Sequence, residues 1–257
     1  MRKLVARGLH EQVIEEIGKR IVQGEFPAGQ SLPGETGLCD SLGVSRTALR
    51  EGLRVLASKG LVEPKRKVGT VVRPVEQWNY LDSDVLAWLL EGRHADKVID
   101  ELYELRHLIE PLAASLAAKH AQKADVEALR AAYEEMLAAG DDGERIESPD
   151  LRFHEAIITA SGNRLFSSLA HVISAALLVN FKFVRNAPSG HPHTMPAHKK
   201  VLDAIADANA SAARVAMQEL VELSQEEARR VNRSGSRKAT QSAARGRGAP
   251  MRRARRN

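Results

Sequence analysis

Two groups of side chains in this chain have types and spacings that can do chemistry. In the second half, Asp150 and His154 stand four residues apart in PDLRFHEAIITA, and His198 opens the stretch HKKVLDAIADANA. Residues four apart on a helix lie about 40° apart around its axis, so Asp150 and His154 project together. One carboxylate and two imidazoles suit a divalent metal such as zinc. They equally suit a metal-free polar pocket that hydrogen-bonds a hydroxy acid, and each histidine taken alone reads as a satisfied core residue. Thr194, one turn ahead of His198, offers a hydroxyl to the same place. Arg106, in ELRHLIEP, carries a planar fork that matches a carboxylate ligand. Its plain alternative is an ion pair with Glu110, four residues on. Asn180, Lys182 and Arg185 are further polar candidates. His191 and His193, in HPHTMPAH, read as solvated loop residues, because Pro192 and Pro196 break any shared face with His198.

In the first quarter the reactive groups are cations and hydroxyls. Arg46 and Arg50 are one helical turn apart in VSRTALRE, with Ser45 and Thr47 beside them, and Lys65, Arg66 and Lys67 cluster ahead of Gly69. An arginine fork pairs with guanine in the major groove, discriminating by about 1–3 kcal/mol per good contact. Lysines and hydroxyls suit phosphates. The plain alternative is a solvated charged face on a helical protein.

The elements that would hold these groups follow from periodicity and breakers. Val13, Ile14, Ile17, Ile21 and Val22 mark an apolar helix from about Leu9 to Gln23. A loop with Pro27, Gly29 and Pro33 leads to a short helix over 36–42 and a turn at Gly43-Val44. Ser45 sits where an N-cap belongs, and a second helix runs from Arg46 to about Lys59, where Gly60 stops it. Two β-branched segments, 61–63 and 70–72, flank the basic tip. This order is a helix-turn-helix followed by a basic hairpin, a winged helix whose recognition helix opens with the two arginines. After a connector over 75–93, in which Trp78 and Tyr80 either pin the chain or relay a signal, helical patterns cover 95–120, 123–139, 148–161, 164–186, 194–208 and 210–231. The predicted class is mostly α, a winged helix over 1–74 and an all-α helical bundle over 94–232. The tail 233–257, rich in Arg, Ser, Ala and Gly, is expected to lack regular structure.

Charge divides along the same lines. Residues 1–74 hold 13 Lys/Arg against 8 Asp/Glu, the tail holds 9 Lys/Arg and no acid, and the middle carries −9 within an overall +5. Basic ends around an acidic body favour a polyanion partner at the ends. The single cysteine, Cys39, cannot form an internal disulfide, which suits a reducing cytoplasm, and no apolar run is long enough for a membrane span.

The stretch PAGQSLPGETGLCDSLGVSRTALREGLRVL with GLVEPKRKVGTVV resembles the winged-helix domain of GntR-family bacterial transcription regulators. The resemblance implies operator contacts from Ser45, Arg46, Thr47, Arg50, Lys65, Arg66, Lys67 and Gly69; some members carry a DNA-contacting arginine where this chain has Thr36. The segments ELRHLIEPLAASLAA, PDLRFHEAIITASGNRLF and PAHKKVLDAIADANASAARVAM resemble the FCD effector domain of the FadR subgroup. That resemblance implies a metal held by Asp150, His154 and His198 with a further histidine, whose expected position is Leu220 here. It also implies that Arg106 binds the acid group of a small effector. Together these point to a homodimeric cytoplasmic regulator of sugar-acid catabolism, most simply a repressor released from operator DNA by a carboxylate effector. A metal-dependent enzyme on a hydroxy acid has no general base or nucleophile motif behind it. An architectural DNA binder acting through the tail would bind without sequence preference.

Overall fold

The computed structural model describes residues 8–92, 95–140, 142–184 and 194–246, with the backbone alone described for Leu9, 179–184 and 231–246. Arg185, His191 and His193 lie outside the described residues, as do the side chains of Asn180 and Lys182. The chain divides into two compact units, Met1–Glu101 and Leu102–Asn257.

The first unit contains α1 (Leu9–Val22), α2 (Glu35–Leu42), α3 (Arg46–Ser58), β1 (Val62–Lys65) and β2 (Gly69–Val72). The strands pair antiparallel, from Val62 opposite Val72 to Lys65 opposite Gly69. The loop before α2 runs along β2, since the Gly29 and Leu32 N–H groups donate to the Val72 and Thr70 carbonyls and Val72 N–H donates to Gln30. Gly43 closes α2 in the left-handed region at φ 65°, and the Ser45 hydroxyl caps α3 by accepting from Ala48 N–H at 3.2 Å. Val13, Ile17 and Ile21 from α1 meet Leu38, Leu49 and Leu56 in the core, together with Leu61 and Val71. Gly52 lets α3 lie close on α1, because a Cβ there would stand 2.4 Å from Val13 Cγ1.

The segment after the wing, read from sequence as a connector, folds with this unit. It forms a 3-10 turn over Val75–Gln77 and a further helix, α4 (Ser83–Glu91), that the spacing did not predict. Trp78 is buried and its indole N–H donates to the Arg73 carbonyl at 3.0 Å. The Lys59 ammonium lies 2.9 Å from Asp82 and 2.8 Å from Asp84, and Asp82 also caps α4. Trp88 sits against Gly18 so closely that a Cβ there would be 2.3 Å from the ring.

The second unit is helical throughout its described residues: α5 (Ala95–His120, begun in the first unit), α6 (Lys123–Ala139), α7 (Gly143–Ala160), α8 (Arg164–Ser167), α9 (Ala170–Val184), α10 (Met195–Ala206) and α11 (Ala210–Gly246). Helix α7 starts five residues before the predicted 148, because Asp142 accepts from Glu144 and Arg145 N–H groups and sets the cap ahead of Pro149. The stretch 164–186 is two helices, not one, divided after Ser167. Helix α11 is drawn on to Gly246, into the stretch expected to lack regular structure. Residues 247–257 lie outside the described residues. Small Ala113, Ala114, Ala117 and Ala118 on α5 share the core with Leu129, Met136, Phe153, Ile157, Val201, Leu202, Met217 and Val221. Each large side chain so buried contributes about 1.5–3 kcal/mol. Among the described residues no helix is long and apolar enough to cross a membrane.

Candidate functional site

Four helices of the second unit bring polar groups into this apolar interior. Asp150 and His154 come from α7, His198 from the first turn of α10, Arg106 and Glu110 from α5, and Ser224 from α11. All six are buried, and Arg106 is wholly so. One ligand atom from each of Asp150, His154 and His198 falls within 4.8 Å of the other two. Phe153 orients both imidazoles edge-on, with ring centroids at 5.9 Å from His154 and 5.2 Å from His198.

The hydrogen bonds assign the imidazole tautomers. His198 Nδ1 lies 2.9 Å from the Thr194 carbonyl, which only accepts, so Nδ1 carries the proton. His154 Nδ1 lies 2.5 Å from Glu110 Oε2. Burial pushes the Glu110 carboxyl up, but the charges of Arg106 and His154 outweigh it and hold it at about 2, so Glu110 accepts as a carboxylate. With each Nδ1 engaged, both rings turn Nε2 inward. His198 Nε2 approaches Asp150 Oδ1 to 2.9 Å but makes no aligned hydrogen bond among the described residues. Burial raises the Asp150 carboxyl too, yet contact with His198 and the charges of His154 and Arg106 hold it at about 2. A lone pair facing a carboxylate oxygen at that distance is repulsive unless a cation lies between them or the ring takes a second proton. The donor set and the carboxylate behind His154 have the form of a metal site with its supporting shell.

Arg106 completes the network. Its Nε donates to Glu110 Oε1 at 2.5 Å, Nη1 donates to the Ser224 hydroxyl at 3.2 Å, and the guanidinium lies 5.0 Å from the Tyr103 ring centroid. Nη2 has no hydrogen-bond partner among the described residues. The ion pair with Glu110, weighed from sequence as the plain alternative, is thus formed and buried, and it leaves Nη2 of the fork unused. Thr194 is buried at the start of α10, and its carbonyl engages His198. Leu220, where the fourth ligand was expected, is buried on α11. The spacing argument missed Ser224, one turn beyond Leu220, and Tyr103, whose hydroxyl lies 3.0 Å from Ser224 Oγ. The four-residue step from Leu220 to Ser224 was the available signal.

The other predicted residues all belong to the first unit. Ser45, Arg46, Thr47 and Arg50 are exposed at the start of α3, and Lys65, Arg66, Lys67 and Gly69 are exposed at the hairpin tip. The tip turns through Lys67 at φ 67° and Gly69 at φ 104°. Thr36 lies beside Arg46, 3.5 Å from Nη2, and Glu35 holds Arg50.

Comparison with known proteins agrees with both halves. Residues 9–72 match the model of the bacterial regulatory proteins of the gntR family, and residues 101–223 match that of the FCD domain. The galactonate operon transcriptional repressor of Escherichia coli K12 is 36% identical over 79% of this chain and 89% of that protein. The Glc operon transcriptional activator of the same strain is 32% identical over 77% of this chain and 80% of that protein. Among solved structures, one described as Lar, which controls expression of the Listeria monocytogenes agr system, is similar in fold, with a TM-score of 0.60 at 19% identity over 87% of this chain and 98% of that one. The chain belongs to the GntR family of bacterial transcription regulators, with a winged-helix head and an FCD effector domain, and it is a regulator rather than an enzyme.

Proposed function

We propose that this regulator represses a sugar-acid catabolic operon and leaves its operator when a carboxylate effector enters the buried site of the second unit. The observation that carries the effector half is the unused Nη2 of Arg106, beside three inward donors on Asp150, His154 and His198. A buried guanidinium edge without a partner is costly, and an anionic ligand would satisfy it. The 36% identity to a galactonate repressor supports a sugar acid as the class. Asp150, His154 and His198 would hold one divalent cation, which supplies Lewis acidity toward a carboxylate or hydroxyl oxygen. With leucine at position 220, three protein donors leave positions on that ion for the effector. On the protein side, Glu110 fixes the His154 ring, the Thr194 carbonyl fixes the His198 ring, and Arg106 receives the acid group.

The DNA half rests on Arg46 and Arg50 for base edges and on Ser45, Thr47, Lys65, Arg66, Lys67 and Gly69 for backbone and groove contacts. One winged helix reads too few bases for an operator, so the working species is a cytoplasmic homodimer on two half-sites. Effector release is a population shift, and it requires different effector affinities in the DNA-competent and incompetent states.

The test is thermal melting of the purified protein against aldonic, uronic and small hydroxy acids, with and without chelator, alongside operator binding. An acid that raises the melting temperature and weakens operator binding supports the proposal. Loss of that shift on chelation assigns the cation a part in binding. No shift with any sugar acid counts against the effector class.

A further inference from the structure

The DNA-facing surface carries a carboxylate that the contacts above do not use. Glu35 is the first residue of α2, and it meets Arg50 across the helix-turn-helix. Arg50 Nε donates to Glu35 Oε1 at 3.0 Å and Oε2 at 3.2 Å, and Nη2 donates to Oε2 at 3.0 Å. The Arg50 hydrogen bonds hold the Glu35 carboxyl below its ordinary range, so it is ionised. Both side chains are exposed, at 63% for Arg50 and 42% for Glu35. An ion pair this exposed does little for the fold. A negative charge on a surface meant for a polyanion also weakens general attraction to phosphate. Its use must lie elsewhere.

We propose that Glu35 is a specificity-determining residue that aims Arg50 at a single guanine. The proposal rests on the assignment of α3 as the recognition helix. A guanidinium has five N–H groups. Glu35 engages the edge formed by Nε and Nη2, which leaves the outer edge formed by Nη1 and Nη2 as a two-pronged donor. That fork matches O6 and N7 of guanine in the major groove. Holding the inner edge removes rotamers that Arg50 would otherwise lose on binding. The carboxylate also discounts Arg50 as a phosphate contact, so general affinity is exchanged for discrimination. Arg46 is not held in this way: its neighbour Thr36 makes one contact at the 3.5 Å limit.

The experiment selects bound duplexes from a randomised pool with full-length wild-type, Glu35→Gln and Arg50→Ala proteins, and reads the base preferences. Melting curves check that Glu35→Gln stays folded, as an exposed substitution should. The expected result is one guanine position lost in Arg50→Ala and weakened by roughly 3- to 10-fold in Glu35→Gln, with the rest of the motif retained. Affinity of Glu35→Gln for an unrelated duplex at low salt should rise by roughly twofold or more. An unchanged motif in Glu35→Gln overturns the proposal while leaving Arg50 as a reader. Weakening at a base pair other than that of Arg50 also overturns it, because Glu35 would then itself accept from a cytosine amino group. A full motif in Arg50→Ala removes the recognition-helix reading, and the proposal with it.

Discussion

Among the arginine–glutamate pairs of the described residues, two have opposite surroundings. Arg50 and Glu35 meet in the open on the head, and Arg106 and Glu110 meet with about 1% of either side chain exposed. The chemistry is the same and the consequences differ. In water the first pair competes with solvent and salt, so it adds little to the stability of the fold. In the interior the second pair has no water to fall back on, so every remaining donor and acceptor must be answered by protein or ligand. An exposed pair can tune recognition, while a buried pair ties recognition to folding.

The largest effect should come from breaking the buried pair. Glu110→Ala leaves Arg106 charged in the core and His154 without its acceptor, and should lower stability by about 3–5 kcal/mol in chemical denaturation. Replacing both partners, as Arg106→Met with Glu110→Leu, should recover much of that loss and abolish the response to any acid effector. A double variant as unstable as the single one would mean that the pair is not the element under strain.

Metal supply sharpens the same contrast. If Asp150, His154 and His198 hold a cation, adding it to stripped protein at 100 times its dissociation constant should stabilise by about 2.7 kcal/mol. Asp150→Asn should abolish that gain without altering DNA binding by the effector-free protein.

On the exposed side, Arg46→Ala should cost operator affinity by about 5- to 150-fold, as expected for loss of one good base contact. Its melting temperature should stay within error of wild type. A clear loss of stability would show that Arg46 supports the fold.

The smallest effect lies between the two extremes, at Lys59. Burial works to lower the pKa of its ammonium, but hydrogen bonds to Asp84 and Asp82 outweigh burial and hold it above 10.5. A raised folded value means that the contribution is complete below about 10.5 and is lost as pH rises through the folded pKa. Lys59→Met should therefore cost about 1 kcal/mol or less at neutral pH, after solvent screening. It should also flatten the alkaline fall in the stability of the head.

The head was legible from sequence almost residue by residue. Its signals are local: Gly43 for the left-handed turn, Ser45 for the cap, β-branched segments in the wing and a glycine after each helix. Helix α4 was not, because Trp78, Trp88 and Lys59 place it through contacts with residues distant in the chain, and its own stretch SDVLAWLLE looks like connector. In the body, helix positions followed from spacing, except where one cap decided the start of α7 and a short break divided 164–186. The candidate site was legible as a set of residue types, since Asp150 and His154 share a helical face. Its actual connections were not. Glu110 and Ser224 lie 44 and 118 residues from the groups they bond, His154 and Arg106.

The sequence by itself determined the family, the order of elements in the winged helix and the residue types that suit DNA or a metal, because those depend on local conformation and on side-chain chemistry. Only the tertiary structure decided that Arg106 is buried with Nη2 unused, that both imidazoles turn Nε2 inward, and that Glu35 holds Arg50. Those are statements about which polar atoms find partners once water is excluded or a neighbouring helix arrives, and no spacing along the chain encodes them.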